Sequence, residues 1–159
     1  MIYLKLLGTV LVAFSGLMLP HMLNRRLTLS LRQAEGWERL IGAIKTEVEC
    51  FSLPISDILA RADPSLLSLC GYAGRGCPKD LTKLLEQTIF SDPETEGIVR
   101  RFASEFGQCY KTEQVERCAY FLALTEARRK AIATELPAKK RLNSTLCISA
   151  CLGILILFL

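Results

Sequence analysis

Two apolar stretches, Ile2–Leu23 and Leu142–Leu159, constrain this chain more than any other feature of its sequence. The first has 22 residues and a single charge, Lys5. As a helix it would extend about 33 Å, enough for a hydrocarbon core of about 30 Å. The second has 18 residues and would extend about 27 Å. Its first turn is polar, with Asn143, Ser144 and Thr145, but no face of Leu146–Leu159 is polar. A helix that is apolar all round needs lipid or a large core around it. A cleaved signal peptide would need a basic start, a shorter apolar core and a small-residue cleavage site, and Leu17–Leu23 offers no such site. Both stretches are therefore read as transmembrane helices, at 2–23 and 142–159.

The flanking charges give these spans a direction. Arg25, Arg26 and Arg32 follow the first, and Lys139, Lys140 and Arg141 precede the second. Only Lys5 lies on the other side. By the positive-inside rule the segment 24–141 is expected in the cytoplasm, with both termini outside. That segment has 118 residues, enough for one domain core and too few for two.

Between the spans the apolar residues follow a helical period. Leu27, Leu31, Ala34, Trp37, Ile41, Ile44, Val48 and Phe51 recur at steps of three and four, a seam for one long helix. Ser52 and Pro54 read as the start of a short helix with Ile55, Ile58, Leu59 and Ala62 inward. Asp63-Pro64 restarts the chain. Leu81, Leu84, Leu85, Thr88 and Ile89 mark a further helix. Asp92-Pro93-Glu94 is an N-cap, a first-position proline and a first-turn acid, followed by Ile98, Val99, Phe102 and Phe106. Thr112, Glu113 and Glu116 begin the last long helix, which Pro137 is expected to kink or break. No strand pattern survives. The expected fold is all-α, a helical bundle domain between an N-terminal and a C-terminal transmembrane helix.

Chemistry-bearing motifs are scarce. Gly71–Pro78 is glycine-rich, but it lacks the Gly-Lys-Ser/Thr ending and the preceding strand of a P-loop. The seven cysteines are odd in number and form no CxxC pair, and the one histidine, His21, lies in the first apolar stretch. Neither a zinc site nor a disulfide framework fits; small buried hydrophobes in a reducing compartment fit better. A cysteine enzyme would need a base or a cation beside its thiol. Cys109 and Cys118 have no histidine partner in the domain. No catalytic, cofactor-binding or metal-binding residue is predicted.

Charge is divided along the chain. From Gln33 to Ala127 there are 10 Lys/Arg and 15 Asp/Glu. Arg25, Arg26, Arg32, Arg128, Arg129, Lys130, Lys139, Lys140 and Arg141 crowd towards the apolar stretches instead. A basic collar at an anionic lipid surface is expected, worth about 1 kcal/mol per charge. Its confinement there fits nucleic acid poorly. Glu47, Glu49, Glu105 and Glu113 are candidate contacts for a basic cytoplasmic partner.

Several short segments carry a resemblance. Arg32-Gln33-Ala34-Glu35 to Leu40, Glu47-Val48-Glu49, Leu53-Pro54-Ile55, Phe102-Ala103-Ser104-Glu105-Phe106-Gly107 and Glu113-Gln114-Val115 occur in an order and spacing that resemble the stage III sporulation protein AB family. The resemblance extends to length and to both apolar stretches. It implies a place in the mother cell–forespore channel complex of endospore formers, in the mother-cell membrane around the forespore. It also implies a helical domain like those of type II secretion and type IV pilus platform proteins. The expected role is non-enzymatic: a membrane platform subunit docking a cytoplasmic ATPase that resembles stage III sporulation protein AA, alongside other channel membrane proteins. The alternative is a general two-span adaptor or receptor unrelated to sporulation.

Overall fold

Helical periodicity in the sequence becomes helix throughout the computed structural model, which describes the backbone of residues 2–108 and 110–158. Side chains are described except at 1–17, 19, 20, 109, 155 and 157–159, so Lys5 and Cys109 lie outside the described set. The described residues form six helices: α1 (Ile2–Phe51), α2 (Ile55–Arg61), α3 (Pro64–Leu69), α4 (Leu81–Glu86), α5 (Pro93–Glu105) and α6 (Lys111–Phe158). They contain no named strand, only an isolated antiparallel bridge between Tyr72 and Thr88. The fold is all-α.

The chain divides into two compact units. A body comprises Ser30–Ile132, and a terminal unit comprises Met1–Leu29 with Ala133–Leu159. The long helices α1 and α6 contribute to both.

The body is organised around Trp37, which is fully buried on α1 with Leu40, Ile41 and Ile44. Leu59 of α2, Leu67 of α3, Leu84 of α4, Val99 and Phe102 of α5, and Phe121 of α6 close the same core. Phe102 packs edge-on against Phe106 and Phe121, with ring centroids 5.4 and 5.5 Å apart. Such edge-to-face pairs add specificity to the area they bury. Within the body α1 and α6 run antiparallel. Glu38 pairs with Arg129, a Cβ at Gly42 would touch Leu122, and Lys45 acts on the Cys118 thiol.

Aspartates start three of the short helices. Asp63, Asp80 and Asp92 are N-caps accepting from the backbone N–H of Ser65, Lys83 and Thr95. Each satisfies an N–H that a helix start leaves unpaired.

Four local expectations change. Ser52 is not a cap of α2; it has φ 52° and ends α1, its N–H donating to the Val48 carbonyl. Pro54 caps α2 without a side-chain bond. Phe51 is exposed rather than inward, because α1 stops at that turn. Helix α4 ends at Glu86, leaving Thr88 and Ile89 in the following segment. Pro137 does not end α6, which runs on to Phe158. Pro137 and Ala133, whose carbonyl loses its usual donor, are both exposed, and strong helix formers such as Ala138, Lys139 and Lys140 continue the helix.

In the terminal unit large apolar side chains face outward. Met22 is 67% exposed and Ile156 is 77% exposed, and Met18, Leu146, Ile148 and Leu152 are also open. Among the described residues no helix is long and apolar enough to cross a membrane. Most side chains of the stretch 2–23, and several of 142–159, fall outside the described set.

Candidate functional site

Four chain segments meet at one end of the body: the end of α1, the start of α2, the end of α5 and the start of α6. Two backbone positions make this possible. Ser52 and Gly107 both take positive φ, 52° and 83°, and each turns the chain sharply after a helix. At Gly107 the left-handed conformation suits a residue without Cβ. The meeting encloses an open cleft of about 340 Å³, walled by Val48, Leu53, Pro54, Ile55, Phe106, Lys111 and Gln114.

Two polar atoms at this end have no partner. Gln114 is 5% exposed, and its Oε1 accepts the backbone N–H of Gly107 at 3.0 Å. That bond fixes the amide's orientation, because only the oxygen can face an N–H donor. The Nε2 is left buried without an acceptor, as Glu47 Oε2 is left without a donor. A buried polar group in this state costs about 1–3 kcal/mol.

The candidate acids have different settings. Glu105 pairs with Arg101 at 2.9 Å and Arg117 at 3.6 Å. Glu113 also pairs with Arg117, at 2.9 Å, so this arginine ties α5 to α6. Glu49 is exposed and Glu47 half-buried, both near the end of α1. Phe51 and Tyr110, at the same helix ends, are 66% and 90% exposed.

Comparison with known families fits this chain from end to end: the family described as stage III sporulation protein AB matches residues 5–159. The chain belongs to that family. Comparison with curated proteins gives no match, and comparison with solved structures gives none. Family members are sporulation proteins, so the role is sporulation-related.

Of the basic residues near the apolar stretches, three are tied into the body. Arg128 donates to both carboxylate oxygens of Asp92, at 3.0 and 2.7 Å, and pairs with Glu94 at 2.6 Å. Arg129 pairs with Glu38 at 2.5 Å and Lys130 with Glu126 at 2.6 Å. Arg25, Arg26, Arg32, Lys139 and Arg141 are exposed and Lys140 is half-exposed, with Lys139 paired to Glu135. Burial alone would raise the Asp92 carboxyl; hydrogen bonds from Arg128 and Thr95, with the arginine's charge, hold it at about 2.

Beside α1 the glycine-rich loop is anchored from within. Gln33, 4% exposed, donates to the carbonyls of Cys70 and Ile89 and accepts from the N–H of Ser91, each at 2.8 Å. Trp37 Nε1 also donates to the Cys70 carbonyl, at 3.1 Å. Gly71, at φ 92°, leaves no room for a Cβ against the Gln33 amide. This loop is a structural joint.

The cysteines are varied in setting. Burial raises the Cys70 thiol, and burial, partly offset by Lys45, pushes Cys118 up to about 11. Neither is a thiolate at neutral pH. Cys50 and Cys77 are exposed. Among the described residues no three His, Cys, Asp or Glu side chains are placed to hold a metal ion.

The sequence pointed to the acids but missed the cleft. Gln114 was visible only as part of a family-like segment, and nothing in its neighbours' periodicity separates an unsatisfied amide from a surface one.

Proposed function

We propose that this chain is a non-enzymatic membrane platform subunit of the mother cell–forespore channel complex. A cytoplasmic ATPase, resembling stage III sporulation protein AA, docks on the body. The observation that carries this reading is the end of the body itself. Four helix ends converge there on an open apolar cleft, with Glu47, Glu49, Glu105 and Glu113 on the converging helices and Phe51 and Tyr110 exposed beside them. Family membership supplies the sporulation setting.

The terminal unit acts as the anchor in this reading. Its exposed apolar side chains and its excess of Lys and Arg suit a lipid surrounding with an anionic boundary. The body then lies in the mother-cell cytoplasm, with 2–23 and 142–159 as the spans and the basic residues beside them at the headgroups. The other channel membrane proteins contact these spans.

The test is affinity capture of the tagged protein from sporulating cells in mild detergent. The ATPase should co-purify with the wild type. Exchanging Glu47, Glu49, Glu105 and Glu113 together for lysine should remove it while the helical circular dichroism stays unchanged. Undiminished capture with the reversed acids would end the docking reading. Reporter fusions placing the body outside the cytoplasm would end the topology.

A further inference from the structure

We propose that Asn24–Thr28 of α1 and Ala133–Pro137 of α6 form a paired hinge, about which the body and the terminal unit change orientation. The body can then turn while the apolar helices keep their surroundings. Such a hinge works with or without a docked ATPase.

A helix bends where its ladder of backbone hydrogen bonds is interrupted, and proline is the commonest cause. Pro137 has no N–H, so the Ala133 carbonyl loses its backbone donor. The other long helix carries an interruption of its own. Thr28 Oγ1 donates to the Asn24 carbonyl, one turn back, at 3.0 Å. A hydroxyl bonded in this way loosens a helix and often bends it. In the same turn Asn24 Oδ1 is buried without a donor. An unsatisfied group of that kind stores strain that a change of backbone direction can relieve.

The two interruptions lie at matching distances. From the Glu38–Arg129 pair, Thr28 is about 15 Å away along α1 and Pro137 about 12 Å away along α6. The division between the units falls at the same turns, after Leu29 on α1 and before Ala133 on α6.

Support from packing decides where an interruption can act. Thr46 and Thr125 make the same bond one turn back, each at 3.0 Å. They lie inside the body, where buried Ile44, Val48 and Phe121 hold the neighbouring turns. Beyond the body that support ends. Among the described residues α1 has no buried residue before Gln33, and α6 has none after Ile132. The body side of each weak turn is fixed. Gln33 makes three bonds to Cys70, Ile89 and Ser91, and Arg128 and Arg129 are held by Asp92 and Glu38. A helix fixed on one side of a weak turn, and without a core at that turn, moves there first.

The experiment uses the full-length chain in detergent micelles. Spin labels are carried by genetically encoded ketone amino acids, so the native cysteines stay as they are. One pair replaces Met22 and Glu49 on α1, the other Ala123 and Ser149 on α6, all exposed positions. An uninterrupted helix puts either pair about 40 Å apart. The wild type should give broad distance distributions that reach below this value in both helices. Pro137→Ala restores the N–H, and Thr28→Val removes the hydroxyl. Each should narrow both distributions, because the helices bend together. Thr46→Val and Thr125→Val remove the same bond inside the body and should leave the wild-type breadth. Amide exchange over residues 133–141 should slow about tenfold in Pro137→Ala. Single narrow peaks near the straight-helix distance in the wild type would overturn the hinge. So would equal narrowing by the body variants, which would assign the effect to general helix stiffening. If each hinge variant narrowed only the helix that carries it, the two turns would not act as a pair and the proposal would fall.

Discussion

The same two helices behave differently in the two units they join. Within the body, α1 and α6 bury one face each, and their charges are matched: Ser30–Ile132 holds 14 Lys/Arg against 15 Asp/Glu. Arg128 and Arg129 find carboxylates on other elements, at Asp92, Glu94 and Glu38. In the terminal unit large apolar side chains are exposed, and six Lys/Arg stand against one acid, Glu135. One acid cannot neutralise six cations. The body's charges are nearly balanced by its own residues, whereas the terminal unit carries a surplus of positive charge. Its exposed apolar surface and its positive charge are the two properties a lipid bilayer with anionic headgroups would satisfy.

That contrast is broken most forcefully by truncating one large apolar side chain in each unit. Trp37 is fully buried and stacks on Phe90 with ring centroids 5.9 Å apart. Trp37→Ala should cost about 3–5 kcal/mol of unfolding free energy, from lost transfer energy and the cavity left behind. Ile148, 54% exposed in the terminal unit, should cost no more than about 0.5 kcal/mol on truncation to alanine. Denaturant titration of the purified protein measures both. Equal losses would show that the terminal unit has a core of its own and would dissolve the contrast.

A polar version of the test comes next in size. Gln33→Leu removes two donors and one acceptor from the joint at Cys70, Ile89 and Ser91. Leaving those backbone groups unpaired should cost about 2–3 kcal/mol. Hydrogen exchange should quicken at the N–H groups of Ala73 and Ile89, which bridge the loop's two sides. Unchanged exchange there would mean that the glycine-rich loop holds itself.

The ion pair between α5 and α6 gives a smaller, pH-dependent effect. The Asp92 carboxyl sits at about 2 in the folded protein against an ordinary 3.8. Its pKa is depressed, so the stability it contributes is present above about pH 4 and is lost as pH falls towards 2. The loss should be about 2 kcal/mol across that window. Acid titration of unfolding should show this component in the wild type, and Asp92→Asn should flatten it. A slope unaffected by the substitution would assign the acid sensitivity to other carboxylates.

How much of this was legible in the sequence follows the same division. The seam of Trp37, Ile41, Ile44 and Val48 and the start of α5 at Asp92-Pro93-Glu94 came from local signals, periodicity and capping, and the structure keeps them. The orphaned Gln114 amide, the Gln33 joint and the pairing of Arg128 with Asp92 did not. Each is a contact between residues 7 to 58 positions apart in sequence, decided by how helices pack. Arg128 shows the cost: read along the chain, it belongs with the basic residues near the second apolar stretch. In space it neutralises an N-cap. The expected break at Pro137 failed for a related reason, since a local rule there competes with strong helix formers on both sides.

The smallest expected effect separates the two roles a cation can have here. Lys139 pairs with Glu135 at 2.6 Å across one turn of α6, with both side chains half exposed. Such a pair contributes about 0.3–0.5 kcal/mol to stability, so Lys139→Ala should hardly move the unfolding midpoint. If the terminal unit faces anionic lipid, the same substitution should weaken association with phosphatidylserine-containing nanodiscs, relative to neutral ones, by about 1 kcal/mol. Arg129, paired with Glu38 in the body, is the matched control: Arg129→Ala should lower stability more than Lys139→Ala and leave the lipid preference unchanged. A reversed pattern would move the charged boundary from the terminal unit to the body. It would require the anchor to be redrawn around Arg128, Arg129 and Lys130.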